Sequence, residues 1–270
     1  MSFQKLVSFA TIGLLLAAPA TMQGQEESLP VQIADVMTQL AGGVHPGLRL
    51  THTKGLVTAG TFTPAPSAKT LSRAAHLQDT PVPVTVRFSD GTGIPNIPDN
   101  NDNASPHGMA IRFALPGNAY TDIVANSHNG FFVGNGNDFL ALLKAIAGTN
   151  AKSPHPSPIE QFLGTHPAAL KVIVDSKRAS KSFQNLDFYG NNAFIFVDAA
   201  GGKHAFRYQI IPVAGVVKLD SAAAAKQKPV HVRRAQVGAR EGAGQVHDLR
   251  AACEPGRSDE RWRDRVAGRS

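Results

Sequence analysis

The segment Val82-Pro83-Val84-Thr85-Val86-Arg87-Phe88-Ser89 constrains the fold more than any other. Val82, Val84, Val86 and Phe88 alternate with Pro83, Thr85, Arg87 and Ser89. Successive side chains of a strand point to opposite faces of its sheet, so this segment carries one apolar face and one face bearing a cation and a hydroxyl. Such a strand needs partners. Leu56 to Phe62, Met109 to Leu115 and Asp122 to Ala125 are short, β-rich runs separated by Gly, Pro and Asn, and Gly91 to Ser105 reads as a Pro/Asn/Asp loop.

Helical signals flank these strands. Ile33, Val36, Met37 and Leu40 recur at helical spacing in Ser28 to Leu40, which Gly42-Gly43 stops. Phe139 to Ala147 follows Asn137, and Ser157-Pro158-Ile159-Glu160 opens another helix with a capping box and Pro at the first helical position. Phe194 to Val197 and Ala205 to Ile211 read as a hairpin joined through Gly201-Gly202. Strands, then helices, then strands predict an α+β fold with a largely antiparallel sheet.

The two ends differ from the body. Met1 to Gly24 has Lys5 as its only charge, the apolar run Leu6 to Ala18, and small residues at Ala18-Pro19-Ala20. These features predict a signal peptide over 1–24 and a mature chain exported to the periplasm or another exported compartment, with no membrane span after signal removal. From 229 to 270 no apolar period survives, and nine of the fifteen arginines lie there. Arginine is thus concentrated in a tail that carries only +3 of the net charge of +7, and with Trp262 as its single aromatic that tail does not predict nucleic-acid binding.

Composition and motifs remove several classes of function. Hydrophobic residues at 42% allow a core, and charged residues at 17% are too few for a disordered chain. The single Cys253 forbids an intrachain disulfide framework and Cys-rich metal sites. Asp99, Asn101 and Asn103 start like a calcium loop, but Ala104 stands where Gly is needed and Ala110 where Glu is needed. Gly134-Asn135-Gly136 lacks the third glycine of a dinucleotide fingerprint, and neither a Gly-x-Ser-x-Gly elbow nor a His-Glu-x-x-His pair occurs.

Among ten histidines, His52 stands out by its setting. The blocks Arg49-x-x-His52-x-Lys54-Gly55, Val86-Arg87-Phe88-Ser89, and Asp122-Ile123-Val124-Ala125-Asn126 running on to Phe131-Phe132 resemble the haem catalase superfamily, most closely its small exported catalase-related peroxidases. The blocks come in family order, and the resemblance runs from about Gly43 to Lys226. It implies a catalase-like antiparallel β-barrel with flanking helices over 25–228, a haem b cofactor, a peroxide substrate and a small-molecule reductant. By the same resemblance His52 is the distal histidine, Asn126 the distal asparagine, and Ser89 the serine that orients the histidine. Arg49 and Arg87 hold the haem propionates, and Phe139 stacks near the haem plane.

The resemblance ends near Lys228. The family's proximal tyrosine, its metal ligand, has no counterpart in Tyr120, Tyr189 or Tyr208, so no metal-ligating residue is assigned and the haem-closing elements are expected to be missing. An Arg-rich segment without apolar periodicity is what an alternate frame of a GC-rich gene encodes, so a frame shift near codon 228 is expected, making 229–270 an aberrant or disordered tail. Three readings stand at this point: a haem peroxidase of the catalase-related kind that responds to oxidative stress, a non-catalytic haem- or ligand-binding barrel, and an inactive frameshifted remnant.

Overall fold

The computed structural model describes residues 27–99, 101–177 and 182–219, with positions 180, 223, 226 and 250–251. The expected signal peptide at 1–24 and nearly all of the expected tail at 229–270 lie outside these residues.

Four strands make an antiparallel meander: β1 (Gly55–Phe62), β2 (Val82–Ser89), β3 (Gly108–Ala114) and β4 (Tyr120–Asn126). The alternation in β2 does what its pattern dictates, with Val82, Val84, Val86 and Phe88 all buried and Pro83 and Thr85 exposed. Pairing stacks these positions into rows across the sheet. Val86, Ile111 and Ile123 form one, and Leu56, Phe88, Met109 and Ala125 another. Phe183, Leu186 and Phe188 arrive from later in the chain to cover this face. Phe88 stacks on Phe183 at 5.5 Å between ring centroids. Removing the side chain of a residue as enclosed as Ile111, 2% exposed, costs about 2–5 kcal/mol.

The sheet continues through β5 (Phe188–Tyr189) and, past a separate hairpin, through a later strand. The hairpin is β6 (Phe194–Val197) with β7 (Lys203–Phe206), closed by Gly201 at φ +87° and by stacking of Phe196 on Phe206. The predicted strand from Ala205 to Ile211 is thus two. Its first part stays in the hairpin, while β8 (Gln209–Ile211) leaves to pair with β5. The chain turns between them because Gly190 donates its N–H to the Tyr208 carbonyl and Arg207 Nε donates to the Gly190 carbonyl, tying that corner to the end of β5. A two-residue strand, β9 (Arg250–Ala251), pairs with β8. The order β1-β2-β3-β4-β5-β8-β9 is an open, curled antiparallel half-barrel.

Helices accompany this sheet, as the α+β expectation requires. They are α1 (Leu29–Leu40), the single turn α2 (Ala68–Leu71), α3 (Gly136–Ala147), α4 (Pro158–Thr165) and α5 (Pro167–Ser176). Gly42 and Gly43 end α1 at φ +84° and +116°, where a side chain would be strained. The predicted capping box of α4 forms. Ser157 N–H donates to Glu160 Oε2 at 2.6 Å, and with the ring of His155 this holds the Glu160 carboxyl at a pKa of about 2. Among the described residues no helix is long and apolar enough to cross a membrane.

Candidate active site

His52 lies on the turn that feeds β1, with φ +53°, a left-handed conformation that non-glycine residues rarely adopt. Neighbouring segments hold it there. Arg87 Nη2 donates to the His52 carbonyl at 2.6 Å, Thr53 N–H donates to the Thr92 carbonyl at 3.2 Å, and the Thr51 hydroxyl donates to the Gly91 carbonyl at 3.0 Å. The expected propionate arginine is therefore also a strut for the histidine's own backbone.

Strand register then decides what lies beside the imidazole. Directly paired residues share a face, and Gly55, Ser89, Gly108 and Asn126 pair in sequence across β1 to β4. His52 Nδ1 is 3.1 Å from Ser89 Oγ. A Cβ built on Gly108 would fall 2.7 Å from His52 Nδ1 and 2.8 Å from Ser89 Oγ, so the ring occupies space that only glycine leaves open. Asn126 closes the row on the far side of Gly108. Its Oδ1 accepts the N–H of His128 at 2.8 Å, which fixes the carboxamide and leaves the amino group as its donating end. Ser89 is 3% exposed, buried by the same packing.

Burial holds the His52 imidazole below the usual histidine pKa, and the Arg87 and Arg49 guanidinium groups push it the same way. A hydrogen bond to the Asp90 backbone and the Asp90 carboxylate oppose this in part. Arg87 is itself held below its ordinary value by burial and by nearby Arg49, so two cations stand together at this edge. Phe139 sits on a different element, the first turn of α3, 5.3 Å from Phe131.

Sequence reading missed the groups behind His52. Asp90 is fully buried, and its Oδ1 is 3.1 Å from Nδ1 of His107, itself 2% exposed. Lys54 Nζ lies 3.6 Å from Asp90 Oδ2, donates to the Ile97 carbonyl at 2.7 Å, and pairs with Asp99. The rejected calcium loop thus turns its first carboxylate onto a lysine. Asp90 and His107 directly adjoin Ser89 and Gly108 in sequence, and a polar residue at the end of each strand was the available signal.

The wall beside this row suits a flat apolar group with anionic edges. Val57, Arg87, Ala110 and Val124 form the adjacent row on the same face, and Val57 and Val124 are 64% and 72% exposed. Small residues at Gly108 and Ala110 leave the centre flat, while Arg87 and Arg49 supply cations at one edge. These features fit a haem on its histidine side. The three tyrosines are otherwise engaged. Tyr120 lies under Arg112, Tyr189 donates its hydroxyl to Asp187, and Tyr208 packs on Phe206. Among the described residues no cluster of three metal-ligating side chains occurs.

A curled antiparallel half-barrel that sets an imidazole, a serine hydroxyl and a carboxamide on one wall, beside an exposed apolar row with a paired-arginine edge, defines a narrow class of protein. A model of the catalase family matches residues 44–236, and the chain belongs to that family. It is 32% identical over 191 residues to a catalase-related peroxidase of Mycolicibacterium paratuberculosis, covering 70% of this chain and 59% of that one. It is 29% identical over 183 residues to a catalase-related peroxidase of Synechococcus elongatus, covering 67% and 53%. A solved structure of a bacterial catalase superposes with a TM-score of 0.63 at 21% identity, over 89% of this chain and 49% of the other. The chain thus spans a little over half the length of these curated relatives.

Proposed function

We propose that this chain is the acid–base half of a haem peroxidase of the catalase-related kind, reducing hydrogen peroxide or organic hydroperoxides in an exported compartment as part of an oxidative-stress response. The observation that carries this reading is the His52 ring over Gly108, hydrogen-bonded to Ser89, with Asn126 on the same row. Haem b is the cofactor we assign to the wall of Val57, Ala110 and Val124, with Arg49 and Arg87 on its propionates and Phe139 near the ring plane. Bidentate forks suit those carboxylates better than lysine would.

Haem, when bound, supplies the redox-active iron. The protein's part is proton movement and orientation. Reducing a peroxide to water and an alcohol, or to two waters, takes two electrons from a small-molecule reductant and two protons. One peroxide oxygen must lose a proton and the other must gain one. An imidazole of ordinary pKa about 6.5 does both without a large penalty at either step. His52 is depressed from that value and so stays neutral and able to accept first. Ser89 engages Nδ1, which leaves Nε2 as the nitrogen that accepts the proton and returns it. Asn126 donates from its amino group to the peroxide oxygens.

The test is peroxide-dependent oxidation of a dye by the purified full chain after haem addition, beside His52→Ala. A Soret band with activity lost in His52→Ala supports the reading. A Soret band with activity indifferent to His52 favours instead a non-catalytic haem-binding half-barrel, for which the exposed Val57 and Val124 wall already speaks. An insoluble chain without a Soret band is the outcome expected of an inactive remnant.

A further inference from the structure

We propose that Asp90 is a positioning residue for His52, its buried carboxylate clamping the histidine turn to the end of β2 and the start of β3 so that the imidazole stays over Gly108. The proposal rests on the assignment of His52 as the acid–base group. It concerns a residue outside the His52, Ser89 and Asn126 set.

A fully buried carboxylate in this position needs a reason. An ionised carboxylate buried without partners is costly, and structures tolerate one when cations and donors surround it. Asp90 has them from two directions. Lys54, two residues after His52, approaches Oδ2 at 3.6 Å, and His107, one residue before Gly108, approaches Oδ1 at 3.1 Å. The Asp90 N–H donates to the Lys54 carbonyl at 3.0 Å, and its own backbone faces the His52 ring. One residue thus touches all three segments that define the imidazole's place: the turn, the Ser89 end of β2, and the Gly108 end of β3. Further bonds stiffen the far side. Lys54 also reaches the Ile97 carbonyl and Asp99, and the His107 backbone exchanges bonds with Ser127, next to Asn126, through Ser127 N–H at 2.8 Å and Ser127 Oγ at 3.0 Å. The clamp therefore links the histidine and asparagine ends of the row through buried groups. The left-handed turn at His52 is a conformation that persists only when its surroundings over-determine it, and this cluster supplies that constraint.

The charged groups facing the His52 ring are Arg87, Arg49 and Asp90, so its titration reports on the clamp. The test is Asp90→Asn in the purified full chain without added haem, read by NMR. The His52 ring titration is assigned with His52→Gln, and amide exchange is followed at Thr53 and Gly91, with Asp198 in the hairpin as a remote control. An amide in place of the carboxylate can still meet His107 but no longer balances Lys54. The expected result is a lower His52 midpoint, since a carboxylate that favoured the charged ring is gone. Exchange at Thr53 and Gly91 should quicken about tenfold, the factor that matches loss of a buried charged contact, with Asp198 unchanged. An unchanged midpoint and unchanged exchange would overturn the proposal. So would all three amides quickening together with the midpoint rising toward the ordinary value, because that is global loosening. Should Asp90→Asn fail to fold, Lys54→Met releases the carboxylate from the turn side. Faster exchange at Thr53 and Gly91 then supports the clamp, and no change overturns it. None of these readouts needs turnover, so a failed peroxidase assay and a failed clamp are separate results.

Discussion

Ser89 Oγ stands 3.1 Å from His52 Nδ1 although 37 residues separate them in the chain. The bond crosses from the turn before β1 to the last residue of β2, and it settles which ring nitrogen faces the protein. Ser89→Ala removes it without altering the core face of the strand. The expected result is a fall of roughly 10–100-fold in peroxide-dependent dye oxidation by the haem-loaded chain, as for loss of an outer hydrogen-bond partner of a working histidine. Thermal unfolding should shift little.

Gly108 offers a sharper separation of position from stability. The atoms that an added Cβ would meet are the ring of His52 and the hydroxyl of Ser89, both ends of side chains that can move. Gly108→Ala should therefore leave the unfolding midpoint near that of the parent chain while displacing the imidazole. Activity is expected to fall at least as far as in Ser89→Ala, checked by the same dye assay beside a melting curve.

Asn126 has two ends with different work. Its Oδ1 accepts the His128 N–H, and its amino group is the end assigned to peroxide. Asn126→Asp keeps the acceptor and removes the donor. Losing one such donor costs about 2.7–4 kcal/mol of transition-state stabilisation, or roughly 10²–10³ in rate. Steady-state rates should drop by that factor while exchange at the His128 amide stays protected.

Acid should destabilise the fold through His76 and His52, two histidines whose pKa burial lowers. His76 is 6% exposed, packs 4.7 Å from Phe113, and has no hydrogen-bond partner for Nε2 among the described residues, and burial lowers its pKa. His52 is lowered too, by burial first and then by Arg87. A depressed folded-state pKa means that the unfolded chain takes up protons first. Stability is therefore full above the unfolded value of about 6.5 and is lost as pH falls through the folded values. His76→Phe removes one of these groups and an unsatisfied buried nitrogen. It should raise unfolding free energy by about 1–3 kcal/mol near neutral pH and flatten the acid loss, as read from urea melts across that range.

Much of this is legible in the sequence. The alternation in Val82 to Ser89 forecast the faces of β2, Ser157 and Glu160 forecast the cap of α4, and Gly42-Gly43 forecast the end of α1. The sequence from Ala205 to Ile211 reads as one strand because apolar runs on both sides of Arg207-Tyr208 look continuous. The break there comes from bonds to Gly190, a residue that local pattern cannot supply. Asp90 and His107 looked like ordinary polar residues at strand ends.

By itself the sequence determined which side chains share a face within each strand, because that follows from the period of two along a single chain, and the blocks around His52, Ser89 and Asn126 carried the family likeness. Only the tertiary structure decided that Ser89, Gly108 and Asn126 form one row, that the ring of His52 fills the gap above the glycine, and that Asp90 lies buried between Lys54 and His107. Register is a relation between strands made far apart in the chain and set by their joint packing, and one residue of slip would turn each of these side chains to the other face.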